Sequence, residues 1–236
     1  MTESPVIEAF SLSKRYAGLL ALDGLCFALP RGAFLAVFGP NGAGKSTLLN
    51  LLSTLFAPSQ GTAAVFGFDL VEEAERIRPH IGLISHQSML FPDLTAHENL
   101  ALFAKLYGVA DPDKRADGLL EQFGLTSRRH DRVRTLSRGM TQRMAIARAL
   151  VNDPEILLVD EPYSGLDSRA ATLLDELIEH SRLDKTIVMI SHDLARTYQK
   201  ATHVLILDKG RALLFSDRDS IPMDDFPLFY QNLVEA

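Results

Sequence analysis

The sequence holds one cysteine, Cys26, among 236 residues. An internal disulfide is therefore excluded, and the chain suits a reducing compartment. The apolar neighbours of Cys26 predict a buried filler. Also absent is any run of about 18 uncharged apolar residues, the length a membrane-crossing helix requires. The opening residues MTESPVIEAF lack the basic-then-apolar order of a secretory signal. The expectation is a cytoplasmic chain whose connection to a membrane runs through a partner. Positive charge is not in excess either. A formal charge of −6 and a pI near 5.6 argue against gripping nucleic acid through a broad basic face, although a local basic patch remains compatible. No repeat, low-complexity tract or long Pro/Gly/Ser linker divides the chain, so residues 1–236 are read as one domain.

What is present is the balance of an ordinary globular protein, with 47% hydrophobic and 23% charged residues. Residues 6–36 read as short strands with a turn at LPRGA. AFLAVF then reads as a buried strand, KSTLLNLLSTLF as a helix, SQGTAAVF as a turn and strand, and IGLISH as a further buried strand. From PDLTAHENL to about Val151 the period is helical, and Thr95 and Glu98 have the spacing of a capping box. Strands return as EILLVD, TIVMIS and HVLILD, with helices between them. This alternation predicts an α/β fold with a largely parallel sheet covered on both faces, preceded by N-terminal antiparallel strands. The helical stretch at about 90–150 is an inserted subdomain.

Gly39-Pro40-Asn41-Gly42-Ala43-Gly44-Lys45-Ser46 fits G-x-x-x-x-G-K-[ST], directly after a strand and before a helix. Backbone N–H groups in such a loop converge on a phosphate chain at a helix N-terminus, and a side chain in place of glycine would block that approach. Lys45 supplies a point charge to the outer phosphates, and the Ser46 hydroxyl is suited to ligate Mg²⁺. A glycine-rich turn matching by chance is the bland alternative, and the flanking strand and helix weigh against it.

ILLVDE places Asp160 and Glu161 at the carboxyl end of a strand, the edge of an open parallel sheet where ligands bind. Asp160 is read as holding the Mg²⁺ shell and Glu161 as polarising the attacking water. Taken alone, two carboxylates closing a strand are equally compatible with a polar surface loop. VMISHD puts His192 at the same edge, facing the terminal phosphate. The other histidines have no comparable context.

These residues carry a resemblance to the ATPase subunits of ATP-binding cassette (ABC) transporters, over nearly the whole chain and with every motif in the family's order. The resemblance implies that Tyr16 stacks on adenine, that residues Gly39 to Thr47 hold the phosphates of ATP, and that Gln87 senses Mg²⁺ and couples to a membrane partner. It identifies LSRGM (136–140) with the family signature, Ser164-Gly165-Leu166-Asp167 with a dimer-contact loop, and His192 with the switch histidine. Plainer readings stand beside these: Tyr16 capping a strand, Gln87 as a polar residue after one, and the signature stretch as an amphipathic helix with Met140, Met144, Ala147 and Val151 as its buried stripe. Ser137 and Gly139 are kept as phosphate contacts at that helix's N-terminus.

The signature departs from the common L-S-G-G-Q at Arg138 and Met140. Met140 cannot make the hydrogen bonds of a glutamine amide. Arg-Gly-Met versions resemble exporter-type cassettes. SHQSMLFPDLTAHENLALFAKLYGV and DEPYSGLD look like the haem-exporter, or cytochrome c maturation, branch, and the cassettes of drug, lipid and polysaccharide exporters, the alternative reading, share much of this pattern. The resemblance implies two cassettes closing head to tail, each ATP held between one phosphate loop and the other chain's signature, with a permease as membrane partner. It places the chain on the inner face of the cell membrane through that permease. Two rival classes are a soluble cassette acting on ribosome or DNA and a small-molecule kinase. The first would be expected to carry a second cassette, a coiled-coil insert or a basic arm, and the second has no use for the signature helix.

Overall fold

A computed structural model describes residues 4–85, 87–163, 168–181 and 184–235. Its strands are β1 (Ile7–Tyr16), β2 (Leu19–Leu29), β3 (Phe34–Phe38), β4 (Gln60–Val65), β5 (Phe68–Asp69), β6 (Ile81–Ile84), β7 (Ile156–Asp160), β8 (Thr186–Ile190), β9 (His203–Asp208) and β10 (Arg211–Asp217). Its helices are α1 (Lys45–Leu52), α2 (Ala74–Ile77), α3 (Ala96–Leu106), α4 (Pro112–Gln122), α5 (Arg138–Ala149), α6 (Ser168–Ser181), α7 (Leu194–Lys200) and α8 (Phe226–Glu235). An antiparallel sheet of order β2-β1-β4-β5 lies beside a six-stranded sheet of order β10-β9-β3-β8-β7-β6. In the larger sheet every pairing is parallel except that of β10 with β9 at the edge.

The central strands are apolar almost throughout because both of their faces are covered. Phe34, Ala36 and Phe38 of β3 join Leu157, Val159, Ile187 and Met189 in a cluster with Leu100 of α3, Leu119 of α4 and Met144 of α5. Leu35 and Val37 point the other way, joining Leu158, Val188 and Ile190 in a cluster with Leu48 and Leu51 of α1 and with Ile7, Leu25 and Val65 of the antiparallel sheet. Strict alternation along each strand divides the two cores. It also turns Asp160, in step with Ile156 and Leu158, toward the α1 side.

The same alternation corrects the reading of Cys26. Leu25, Phe27 and Leu29 are buried, whereas Cys26 lies on the opposite, exposed face of β2. Its apolar sequence neighbours belong to the other side of the sheet, and its sulfur accepts a hydrogen bond from the Ser11 amide at 3.1 Å. Helix α1 is shorter than its apolar pattern suggested, ending at Leu52 with Ser53 as C-cap and Thr54 at φ 59°. The capping box is present in full: the Thr95 hydroxyl accepts from the Glu98 amide at 3.1 Å and the Glu98 carboxylate from the Thr95 amide at 2.8 Å. Of the expected stripe on α5, Met144, Ala147 and Val151 are buried and Met140 is half-buried against the same core. Helix α8 docks through Phe226, whose ring stacks on Tyr198 at 3.8 Å and meets Phe38 at 5.3 Å.

Candidate functional site

The loop after β3 is shaped by close approaches within the chain itself. Gly39, at φ 148°, sits so near the carbonyl of Leu207 that a Cβ there would collide with it. Gly44, at φ 102°, is pressed in the same way against the carbonyl of Ala21. Gly42, at φ 80°, needs glycine only for its backbone angle and faces open space. Two of the three glycines are thus required by packing against β9 and β2, a different cause from the phosphate approach expected of all of them. The loop is further tied down by Gly210, whose amide donates to the Ala43 carbonyl at 3.1 Å.

Lys45 opens α1 and is 7% exposed, with Nζ donating to the carbonyls of Gly39 at 2.8 Å and Pro40 at 2.9 Å. Burial pushes this ammonium below its usual range, while the carboxylates of Glu161 and Asp160 pull it back up. The N-terminus of α1 is capped by Gly44 with no side-chain hydrogen bond, and its first turn holds no acidic residue. Its amides are left for an external acceptor, and an anion is the natural complement.

A cleft of about 310 Å³ opens over this terminus, bordered by Tyr16, residues 41–47 and Glu161. Tyr16 meets Phe56 edge-on at 6.0 Å and lies under the ammonium of Lys14 at 5.1 Å. Leu19, Leu20 and Ala21 of β2 also border the cleft and were not singled out from sequence. Leu19 is 70% exposed, and an apolar residue left out at the start of a strand was the available signal.

Asp160 ends β7 and is 7% exposed. Glu161 follows at φ 47°, its amide donating to the Ile190 carbonyl at 3.0 Å. A left-handed conformation at a non-glycine residue costs on the order of 1–3 kcal/mol, and here it aims the carboxylate back over the cleft. Because β7 and β8 are parallel neighbours, their carboxyl ends emerge side by side, and His192 Nε2 lies 2.7 Å from Glu161 Oε1. Tyr16, Asn41 to Thr47 and Glu161 therefore share one cleft, with Gly39 and Pro40 cradling Lys45, Asp160 directly behind Glu161 and His192 touching it.

Gln87, Ser137 and Gly139 do not border the cleft. Gln87 is exposed beyond β6, near a groove of about 130 Å³ edged by Leu55, Met89, Tyr107 and Arg148. Ser137 is the N-cap of α5, accepting from the Met140 amide at 3.3 Å, and Gly139 is half-buried in the helix's first turn. Residues 164–167 lie outside the described residues. Among the described residues no cluster of three or more His, Cys, Asp or Glu could hold a metal by itself. A cation here would lean on phosphate oxygens together with Ser46 and Asp160, the usual arrangement for Mg²⁺.

A strand, a glycine loop around a buried lysine, a carboxylate pair at the end of β7 and a histidine after the adjacent β8 form one unit, and the sequence carries it in a known order. The sequence model of the ABC transporter family matches residues 22–164. The chain belongs to that family. It is 36% identical over 213 residues to the Nod factor export ATP-binding protein I of Ralstonia nicotianae, covering 89% of this chain and 66% of that protein. It is 32% identical over 219 residues to the linearmycin resistance ATP-binding protein LnrL of Bacillus subtilis, covering 92% and 70%. The chain thus spans about two thirds of the length of these relatives. The dimeric post-hydrolysis structure of the ATP-binding cassette MJ0796 bound to ADP and Pi superposes with a TM-score of 0.82 at 28% identity, covering 90% of this chain and 98% of that one. The cassette described here shares that fold, and it is an ABC ATPase.

Proposed function

We propose that this cassette is the energising subunit of a membrane exporter, working as an ATP-dependent pair bound to a permease. The observation that carries the proposal is the convergence of Lys45, Glu161 and His192 at the open N-terminus of α1. Lys45 and the α1 amides bind the β and γ phosphates, and Tyr16 offers a flat face to the adenine. Mg²⁺, held by Ser46 and Asp160 with Gln87 approaching from beyond β6, would neutralise charge on the phosphate oxygens. Glu161 accepts a hydrogen bond from the attacking water and directs it in line, while His192, already against Glu161, steadies the γ-phosphate. Ser137 spends its oxygen lone pair as an N-cap, so its hydroxyl proton is available to a phosphate held by a second cassette. Residues 164–167 would complete that contact.

The names of the relatives favour export of small molecules such as Nod factor or a linearmycin-type drug, and they lend no specific support to the haem-exporter branch. Among the described residues no helix is long and apolar enough to cross a membrane. A separate permease at the inner face of the cell membrane fits this, with the groove beside Met89 and Tyr107 as the face offered to it. The test is Mg²⁺-dependent hydrolysis by the purified chain against its Glu161→Gln variant. Hydrolysis should fall by about 10²- to 10⁴-fold, the range for losing a positioned base, with ATP binding retained. Parent turnover in Glu161→Gln would remove Glu161 from the mechanism.

A further inference from the structure

Two residues beyond Glu161, Tyr163 turns its ring inward and donates its hydroxyl to Asp175 Oδ1 on α6 at 2.7 Å. The same oxygen accepts from Lys200 Nζ at 2.7 Å, and Asp175 Oδ2 pairs with Arg196 Nη2 at 3.2 Å. The Arg196 guanidinium lies over the Tyr163 ring, 4.7 Å from its centroid. Arg196 and Lys200 both belong to α7, the helix that begins two residues after His192. That junction is itself rigid: the Asp193 amide donates to Ser191 Oγ at 3.1 Å, and the Asp193 carboxylate caps the Arg196 amide at 3.0 Å.

One carboxylate on α6 therefore ties together the segment carrying Glu161 and the segment carrying His192. Between Glu161 and Tyr163 stands only Pro162, which is buried and fixed in φ. Glu161 itself is held in the left-handed region. With so little torsional freedom, the place of the Tyr163 ring sets the direction of the Glu161 carboxylate. We propose that Tyr163 is a positioning residue for hydrolysis: anchored on Asp175, it fixes Glu161 against His192 in the geometry that directs water. This rests on the assignment of Glu161 as the group that directs water.

Tyr163→Phe removes the hydroxyl and keeps the ring under Arg196, so it tests the anchor rather than the packing. The expected result is a fall in kcat of about tenfold, within the range for misplacing a catalytic group by a fraction of an ångström, with KM for ATP changed less than about twofold. Asp175→Asn should show the same split between kcat and KM, and the double variant should be no slower than the worse single one. In the Glu161→Gln background, adding Tyr163→Phe should leave both the residual turnover and the ATP-held dimer population unchanged. Parent kcat in both Tyr163→Phe and Asp175→Asn, a KM effect without a kcat effect, or an equal fold-loss with and without Glu161 would overturn the proposal. Loss of the dimer in the double variant would overturn it too, since the cluster would then act through the interface. Failure of the underlying assignment looks different, because Glu161→Gln alone would then turn over at the parent rate.

Discussion

Replacing Lys45 by methionine keeps the volume of the side chain and removes only its ammonium. Two opposing consequences follow for the fold. The carbonyls of Gly39 and Pro40 lose their donor, at about 1 kcal/mol each, while the cost of holding a charge at 7% exposure disappears. The net change in stability should stay within about 2 kcal/mol of the parent, and the loop should remain closed because Gly39, Gly44 and Gly210 tie it to β9 and β2 independently of Lys45. Nucleotide binding has no such compensation. A charge-assisted hydrogen bond contributes about 2–3 kcal/mol, and no other cation borders the cleft among the described residues. At 1.4 kcal/mol per decade, ATP should bind roughly 30- to 140-fold more weakly. Calorimetric titration of the folded variant with ATP measures this directly, with thermal melting as the control. Parent affinity within twofold, at parent melting temperature, would take the loop out of the nucleotide site.

Three further outcomes are expected. Gly39→Ala should destabilise by more than about 2 kcal/mol in a denaturant titration, because a Cβ meets the Leu207 carbonyl, whereas Gly42→Ala bears only the backbone strain of about 1 kcal/mol; the reverse order would refute the packing argument. Ser137→Arg should leave ATP binding to a single chain nearly intact and abolish the ATP-held dimer in light scattering of the Glu161→Gln background, and an undiminished dimer would exclude the signature helix from the shared site. Burial pushes the Asp175 carboxyl up, but hydrogen bonds from Lys200 and Tyr163 and the nearby Arg196 outweigh it and set its pKa below the ordinary range. A carboxyl depressed on folding stabilises fully above its unfolded pKa of about 4 and loses that contribution as pH falls through the folded value. The melting temperature of Asp175→Asn should accordingly lie below the parent's at pH 7, with the gap narrowing as pH falls below the unfolded pKa of about 4, and a gap that is constant with pH would contradict the ion pairing.

Wherever a feature is written in consecutive residues, the sequence alone determined it. The phosphate loop is legible because strand, glycines, lysine and helix follow one another within a dozen positions, and the capping box at Thr95 because both partners lie in one helical turn. The parallel strands could be read because burial on both faces demands unbroken apolar runs. Tertiary structure decided the rest. Which side of β2 faces a core is a matter of register, and it exposed Cys26 against the evidence of its neighbours. Gly39 and Gly44 answer to carbonyls of β9 and β2, strands that no local pattern ties to the loop. The 2.7 Å meeting of Glu161 with His192, and the anchoring of Tyr163 and α7 on one aspartate, exist only because β7 and β8 are adjacent and parallel. Sequence periodicity records which residues must be buried; it holds no term for the partner that buries them, and that pairing is made when the sheet assembles.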